Sequence, residues 1–237
     1  MSKPNYFGAE VAARYDDSRG DEFEPAVIAA TVDFLAPFAG GGALELAIGT
    51  GRIALPLAER GVRVHGIDLS PEMTARLRAK PGGDAIPVAI GDYATTRVDA
   101  TFGLVYLVFN SIMNQTSQDD QVASFRNAAA HLEPGGRFVV EVTSLNRKPL
   151  EVFHLGETHV GIDEYDAATQ RSVSHHFTLV DGQWRRVSMP FRSVSPAELD
   201  LMARMAGMEL RERWSGWHRE PFTSASRKHV SVWEKQG

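Results

Sequence analysis

The run Glu45-Leu46-Ala47-Ile48-Gly49-Thr50-Gly51-Arg52-Ile53-Ala54 decides how the chain folds. Its first half belongs to a short apolar strand, Ala43 to Ile48. Its second half opens a helix, Gly51 to Arg60, with Gly61 as C-terminal cap. Gly49 and Gly51 let the backbone turn tightly and approach a ligand with no Cβ in the way. The helix start then presents N–H groups that have no intrahelical partner. Strand, glycine turn and helix in this order open a parallel α/β sheet.

Reading outward extends the pattern in both directions. Upstream, Val27, Thr31 and Phe34 fall at helical spacing, and Pro37 with Gly40-Gly41-Gly42 ends that lead-in. Downstream, Val62 to Asp68 is a second strand, and Ser70-Pro71 starts a helix that carries Met73 and Leu77 on one face. Ile86 to Ile90 and Phe102 to Phe109 read as strands three and four. Ser117 and Asp120 resemble a capping box before the stripe Val122, Phe125, Ala129, Leu132. Pro134-Gly135-Gly136 turns the chain into a fifth strand, Arg137 to Thr143.

Beyond Thr143 the alternation stops. Residues 158–165, 171–180 and 184–194 read as successive strands, the last two joined by the hairpin signal Asp181-Gly182. Ser195 to Glu198 is a capping box for a helix ending at Gly207, and strands near Glu209–Trp214 and His229–Glu234 follow. The expected fold is α/β: a doubly wound, seven-stranded, mainly parallel Rossmann-like sheet with an inserted antiparallel β cap. Residues 1–143 and 195–237 form the core, and 144–194 the β-rich cap that selects substrate. Ligands of such sheets sit at the carboxyl ends of the strands, near the switch in strand order.

Composition removes several chemistries. The chain has 237 residues and no cysteine, which excludes disulfides, thiolate nucleophiles, iron–sulfur clusters and thiolate zinc sites. Lys+Arg is 25 against Asp+Glu 30, a formal net charge of -5, which argues against a nucleic-acid partner. No apolar run approaches a membrane span, and the N-terminus lacks a signal-peptide stretch, so the expectation is a cytoplasmic protein. A homodimer is compatible with all of this.

Two cofactors use such a glycine turn. Gly49-x-Gly51-x-x-Ala54 matches the dinucleotide fingerprint, with Asp68 near the place of the ribose acid. That keeps an NAD(P)-dependent oxidoreductase as the alternative. Other features favour S-adenosylmethionine (SAM): an acid, Glu45, inside the first strand, a second acid in Gly91-Asp92-Tyr93 at a strand end, and a helical lead-in.

These residues resemble the class I SAM-dependent methyltransferases over roughly residues 5–143, continued by the terminal strands. The family's first motif is an acid-x-Gly-x-Gly-x-Gly run, and here Ala47 stands at the first glycine. The resemblance implies transfer of a methyl group from SAM to a small-molecule acceptor, leaving S-adenosylhomocysteine, in an enzyme similar to natural-product and amino-sugar N-methyltransferases. It implies that Gly49 and Gly51 border the methionine half, with Ala47 beside them and Glu45 supporting the loop. Asp68 would accept both ribose hydroxyls, Leu69 would pack on adenine with Met73 nearby, and Asp92 would accept the adenine amino group beside Tyr93. Tyr15 would approach the methionyl end and the reacting centre, Arg19 would pair the carboxylate, and Phe109 would face the cofactor. A non-catalytic SAM-binding scaffold stays open.

The acceptor side is less legible. Methyl transfer is an in-line displacement that needs a base wherever the nucleophile carries a proton to be removed. His175 and His176 are the candidate bases; adjacent in a strand, they face opposite ways, and the alternation does not choose between them. His65, His131 and His229 fall in core elements and read as structural. Asn110, Met113 and Asn114, after the fourth strand, are the candidate acceptor contacts, where nucleic-acid amine methylases carry an Asn/Asp-Pro-Pro-aromatic run. No metal site is expected, since the only histidine spacing of note, His154 and His159, falls across a loop and a strand.

Overall fold

The structure is a computed structural model that describes residues 4–17, 20–143 and 148–237. Two sheets organise it. The larger has seven strands in the order β10-β11-β5-β4-β1-β2-β3. β1 (Ala43–Leu46), β2 (Val64–Asp68), β3 (Val88–Ile90), β4 (Phe102–Leu107) and β5 (Leu132–Thr143) are mutually parallel. β11 (Lys228–Lys235) runs antiparallel to both β5 and β10 (Met208–Trp214). β1 lies between β2 and β4, so the chain changes direction across the sheet there, and a crevice opens beyond the strand ends.

Each helix covers the sheet for a reason visible in its residues. α1 (Ala9–Arg14) lies on α4 (Pro71–Arg78), joined by a bond from Arg76 to the Ala13 carbonyl. α2 (Pro25–Leu35) and α3 (Ala54–Glu59) bury Phe34, Leu35 and Leu57 against one face. α5 (Gln118–His131) and α6 (Pro196–Met205) bury Phe125, Leu199 and Met202 against the other. The N-caps are real: Ser70, Ser117 and Ser195 oxygens accept the backbone N–H of Met73, Asp120 and Glu198. Each such cap contributes about 1 kcal/mol.

Some boundaries differ from expectation. α3 begins at Ala54 rather than Gly51, because Gly51 keeps φ +80° and cannot enter a right-handed helix. Pro134-Gly135-Gly136 does not separate helix from strand. It bulges within β5, where the pairing with β4 jumps from Phe102–Leu132 to Leu104–Arg137.

The second sheet has four antiparallel strands in the order β6-β7-β8-β9: Leu150–Leu155, His159–Asp166, Arg171–Val180 and Gln183–Arg192. β6 corrects the reading of His154 as a loop residue. It is an edge strand with all six residues exposed, so no buried alternation marks it in the sequence. Asp181 and Gly182 both have positive φ, as a two-residue hairpin requires. No helix among the described residues is long and apolar enough to cross a membrane.

Candidate active site

The loop after β1 is held by the acid at the end of β2. Ala47, Gly49 and Gly51 have φ of 57°, 57° and 80°. Ala47 thus occupies left-handed backbone with a side chain, at a cost of about 1–2 kcal/mol. A Cβ at Gly51 would lie 2.3 Å from Leu77 Cδ1, so both conformation and space demand glycine there. Asp68 Oδ2 accepts the Gly49 N–H at 2.7 Å, and its Oδ1 accepts the Ser70 N–H at 2.8 Å. Asp68 is 7% exposed; burial raises its pKa, and these two N–H groups pull the other way.

A cleft of about 1000 Å³ of empty space, partly open to solvent, runs over these strand ends. Ala47, Gly49, Asp68, Leu69, Met73, Asp92, Tyr93 and Tyr15 all line it. Asp92 Oδ1 accepts from Gln115 Nε2 at 2.8 Å and from the Ala94 N–H at 2.9 Å, which fixes the carboxylate across the cleft from Asp68. The Tyr93 hydroxyl donates to the Ser111 carbonyl at 2.6 Å, tying the turn after β3 to the segment after β4.

A smaller cavity opens beside it, lined by Tyr15, Glu45, Ala47, Gly49, Arg52, Val108 and Phe109 among others. Glu45 is 3% exposed and accepts the Tyr106 hydroxyl at 2.9 Å. Burial pushes its pKa up to about 8, against the opposing pull of that hydroxyl and of Arg52. The Arg52 guanidinium lies over two rings, 5.3 Å from Phe23 and 5.4 Å from Phe109, and donates to the Glu22 carbonyl at 2.6 Å. Tyr15 packs edge-on to Phe7 and Phe23, and burial raises its hydroxyl to about 12, so it stays protonated.

The N-terminal segment is strapped onto this site. Ser70 Oγ donates to the Phe7 carbonyl at 2.6 Å, and Thr50 Oγ1 donates to Asp16 at 2.6 Å. Lys80 pairs with Asp16 at 2.8 Å and donates to the Thr50 carbonyl at 2.8 Å. Arg19 lies outside the described residues.

After β4, Phe109 and Asn110 both take positive φ, 53° and 60°. Of the three expected acceptor contacts, Asn114 lines the larger cleft. Asn110 instead accepts the Thr143 N–H on its Oδ1 at 2.7 Å, and Met113 is buried in the core. Gly51 and Asn110 support the loops without lining either cavity.

The two candidate bases lie on opposite faces of β8, and neither is among the residues that line these two cavities. His176 shares its face with Ser174 and, across the hairpin, Val187 and Met189. It bonds His159 at 3.1 Å and stacks on that ring. His175 faces the other way, bonding Ser188 at 2.8 Å with Glu164 at 3.6 Å. The cap instead reaches the cleft through Met189, Pro190 and Phe191. His131 and His229 are buried. No group of three metal-ligating side chains exists among the described residues.

The sequence reading missed Arg52 and the β9 residues; Gln115, read with Asn110, Met113 and Asn114 as an amide contact, does line the larger cleft. Arg52 carried a signal: a cation just ahead of a helix N-terminus opposes the helix dipole, so it needs a partner. Met189–Phe191 carried none, because their place depends on packing between distant segments.

The comparisons with known proteins point to methyltransferases. Residues 43–136 match the family model described as "Methyltransferase domain". Along its whole length the chain is 28% identical to the cypemycin N-terminal methyltransferase of a Streptomyces species, with 100% of both covered. It is 29% identical to the dTDP-3-amino-3,6-dideoxy-alpha-D-glucopyranose N,N-dimethyltransferase of Streptomyces fradiae, covering 80% of this chain and 73% of that one. Among solved structures, the CcbJ methyltransferase of Streptomyces caelestis superposes with a TM-score of 0.89 at 34% identity, covering 98% of this chain and 99% of that one.

Proposed function

Because the chain belongs to the class I SAM-dependent methyltransferases, we propose that it methylates the nitrogen of a small-molecule amine. The observation that carries this reading is the lining of the two cavities, which includes no imidazole and no lysine, and whose carboxyl groups, Asp68, Asp92 and Glu45, are each already engaged by hydrogen-bond donors. A hydroxyl acceptor needs a base to become nucleophilic, whereas a neutral amine already carries its lone pair. Tyr15, held protonated, is a poor base. The relatives from the two Streptomyces sources act, by their names, on an N-terminus and on an amino sugar, which supports the same class.

The donor set suits SAM. When bound, SAM supplies an electrophilic methyl group on a sulfonium sulfur. Asp68, fixed by two backbone N–H groups, has lone pairs left for two vicinal hydroxyls. Leu69 and Met73 offer apolar contact to a purine, and Asp92 an acceptor for its amino group. In the small cavity, Arg52 complements the carboxylate of an α-amino acid, and the Glu45 carboxyl offers an oxygen acceptor to its ammonium. Tyr15 closes the site where the two cavities meet. The segment 144–194 serves as the acceptor-selecting cap, with Met189, Pro190 and Phe191 as its wall.

The test is a panel of primary and secondary amines, phenols and alcohols incubated with methyl-labelled SAM. Label is expected on nitrogen. Transfer confined to oxygen or carbon would overturn the amine assignment.

A further inference from the structure

Glu141, near the end of β5, takes part in nothing derived so far, yet it is 9% exposed and makes three side-chain bonds. Its Oε2 accepts the Phe109 N–H at 3.1 Å. Its Oε1 accepts from the Trp217 indole N–H at 3.2 Å and from Lys228 Nζ at 3.2 Å. Its own carbonyl accepts the Asn110 N–H at 3.2 Å. Glu141 therefore grips, from side chain and main chain, the two consecutive non-glycine residues that hold left-handed backbone. Such a conformation persists only where its surroundings impose it. The ring it aims is Phe109, which lines the smaller cavity and lies against Arg52.

We infer that Glu141 is a positioning residue of the methyl-transfer site. It acts through the Phe109 backbone to set the ring and, against that ring, the Arg52 guanidinium. Trp217 and Lys228 hold the carboxylate in place from the opposite side. The inference rests on the reading that the smaller cavity takes the methionyl end of SAM. The adenosine half, over Asp68 and Asp92, lies outside the reach of this grip.

The test is calorimetric binding of S-adenosylhomocysteine and, separately, of adenosine. For Glu141→Ala, we expect S-adenosylhomocysteine to bind about tenfold more weakly, the range of a lost charge-assisted hydrogen bond, while adenosine binding stays within about twofold. A role confined to stability would weaken both ligands together or neither, and either result overturns the inference. Glu141→Asp guards against a failure to fold: it keeps the charge beside Lys228 and shortens the arm by one methylene. The same split, of at least about threefold, is expected there. If the unaltered protein binds adenosine but gains nothing from the homocysteine part, the reading of the smaller cavity falls, and this inference with it. If the unaltered protein shows the gain and both variants keep it, only the role of Glu141 falls.

Discussion

Burying Glu45 inside β1 has a cost that pH should expose. The carboxyl moves from its ordinary 4.5 to about 8 on folding, chiefly because burial penalises the charge. A raised folded pKa favours the native state while the group is protonated. Its stabilising effect is complete below about pH 4.5 and is lost as pH rises through about 8. Within that window the loss is about 1.4 kcal/mol per pH unit, for a total of roughly 3–5 kcal/mol. Glu45→Gln keeps the shape and an oxygen to accept the Tyr106 hydroxyl, but cannot ionise. Urea unfolding of both proteins, without ligand, from pH 5 to 9 isolates the effect, because other titrating groups cancel in the difference. The variant should gain on the wild type steadily across the window and level off above it. Parallel stability curves at all pH values would mean instead that Glu45 is ionised and solvated in the folded chain.

Three other outcomes follow from the geometry. Arg192, buried at the end of β9, donates to Gln121 at 2.6 Å, Gln170 at 2.7 Å and Glu198 at 2.9 Å, joining the second sheet to α5 and α6. Arg192→Leu should cost about 2–4 kcal/mol in urea unfolding, since it strands a partly buried carboxylate; a loss under about 1 kcal/mol would remove this latch from the account. His175→Ala and His176→Ala should each keep turnover of the amine acceptor within about threefold, whereas a general base contributes roughly a hundredfold or more. A hundredfold loss in either variant would restore that histidine as base and count against a self-sufficient amine.

Much of the fold was legible because its signals are local. The glycine turn after β1, the serine caps of α4, α5 and α6, and the Asp181-Gly182 hairpin each lie within a few residues, and each holds in the structure. β6 was not legible, because an edge strand exposed throughout shows no alternation to detect. That Asp68, Leu69 and Met73 gather at one cleft was legible for the same local reason: they lie within six residues of one strand end, and all line it. The acceptor side was not. Which face of β8 looks inward, and that β9 rather than the histidines reaches the cleft, depends on how the second sheet docks. Glu141 escaped notice because its partners Phe109, Trp217 and Lys228 are 32, 76 and 87 residues away.

Everything proposed for the reaction depends on Asp68 and the loop it holds being the SAM site. The most direct measurement is calorimetric titration of the wild type and of Asp68→Ala with S-adenosylhomocysteine, with NADH as the control ligand. Two hydrogen bonds donated by ribose hydroxyls to a carboxylate contribute roughly 1.5–3 kcal/mol each. One-to-one binding by the wild type is expected, weakening by at least about tenfold in the variant, with no heat from NADH. Equal affinity in both proteins, or saturable binding of NADH in place of S-adenosylhomocysteine, would contradict it.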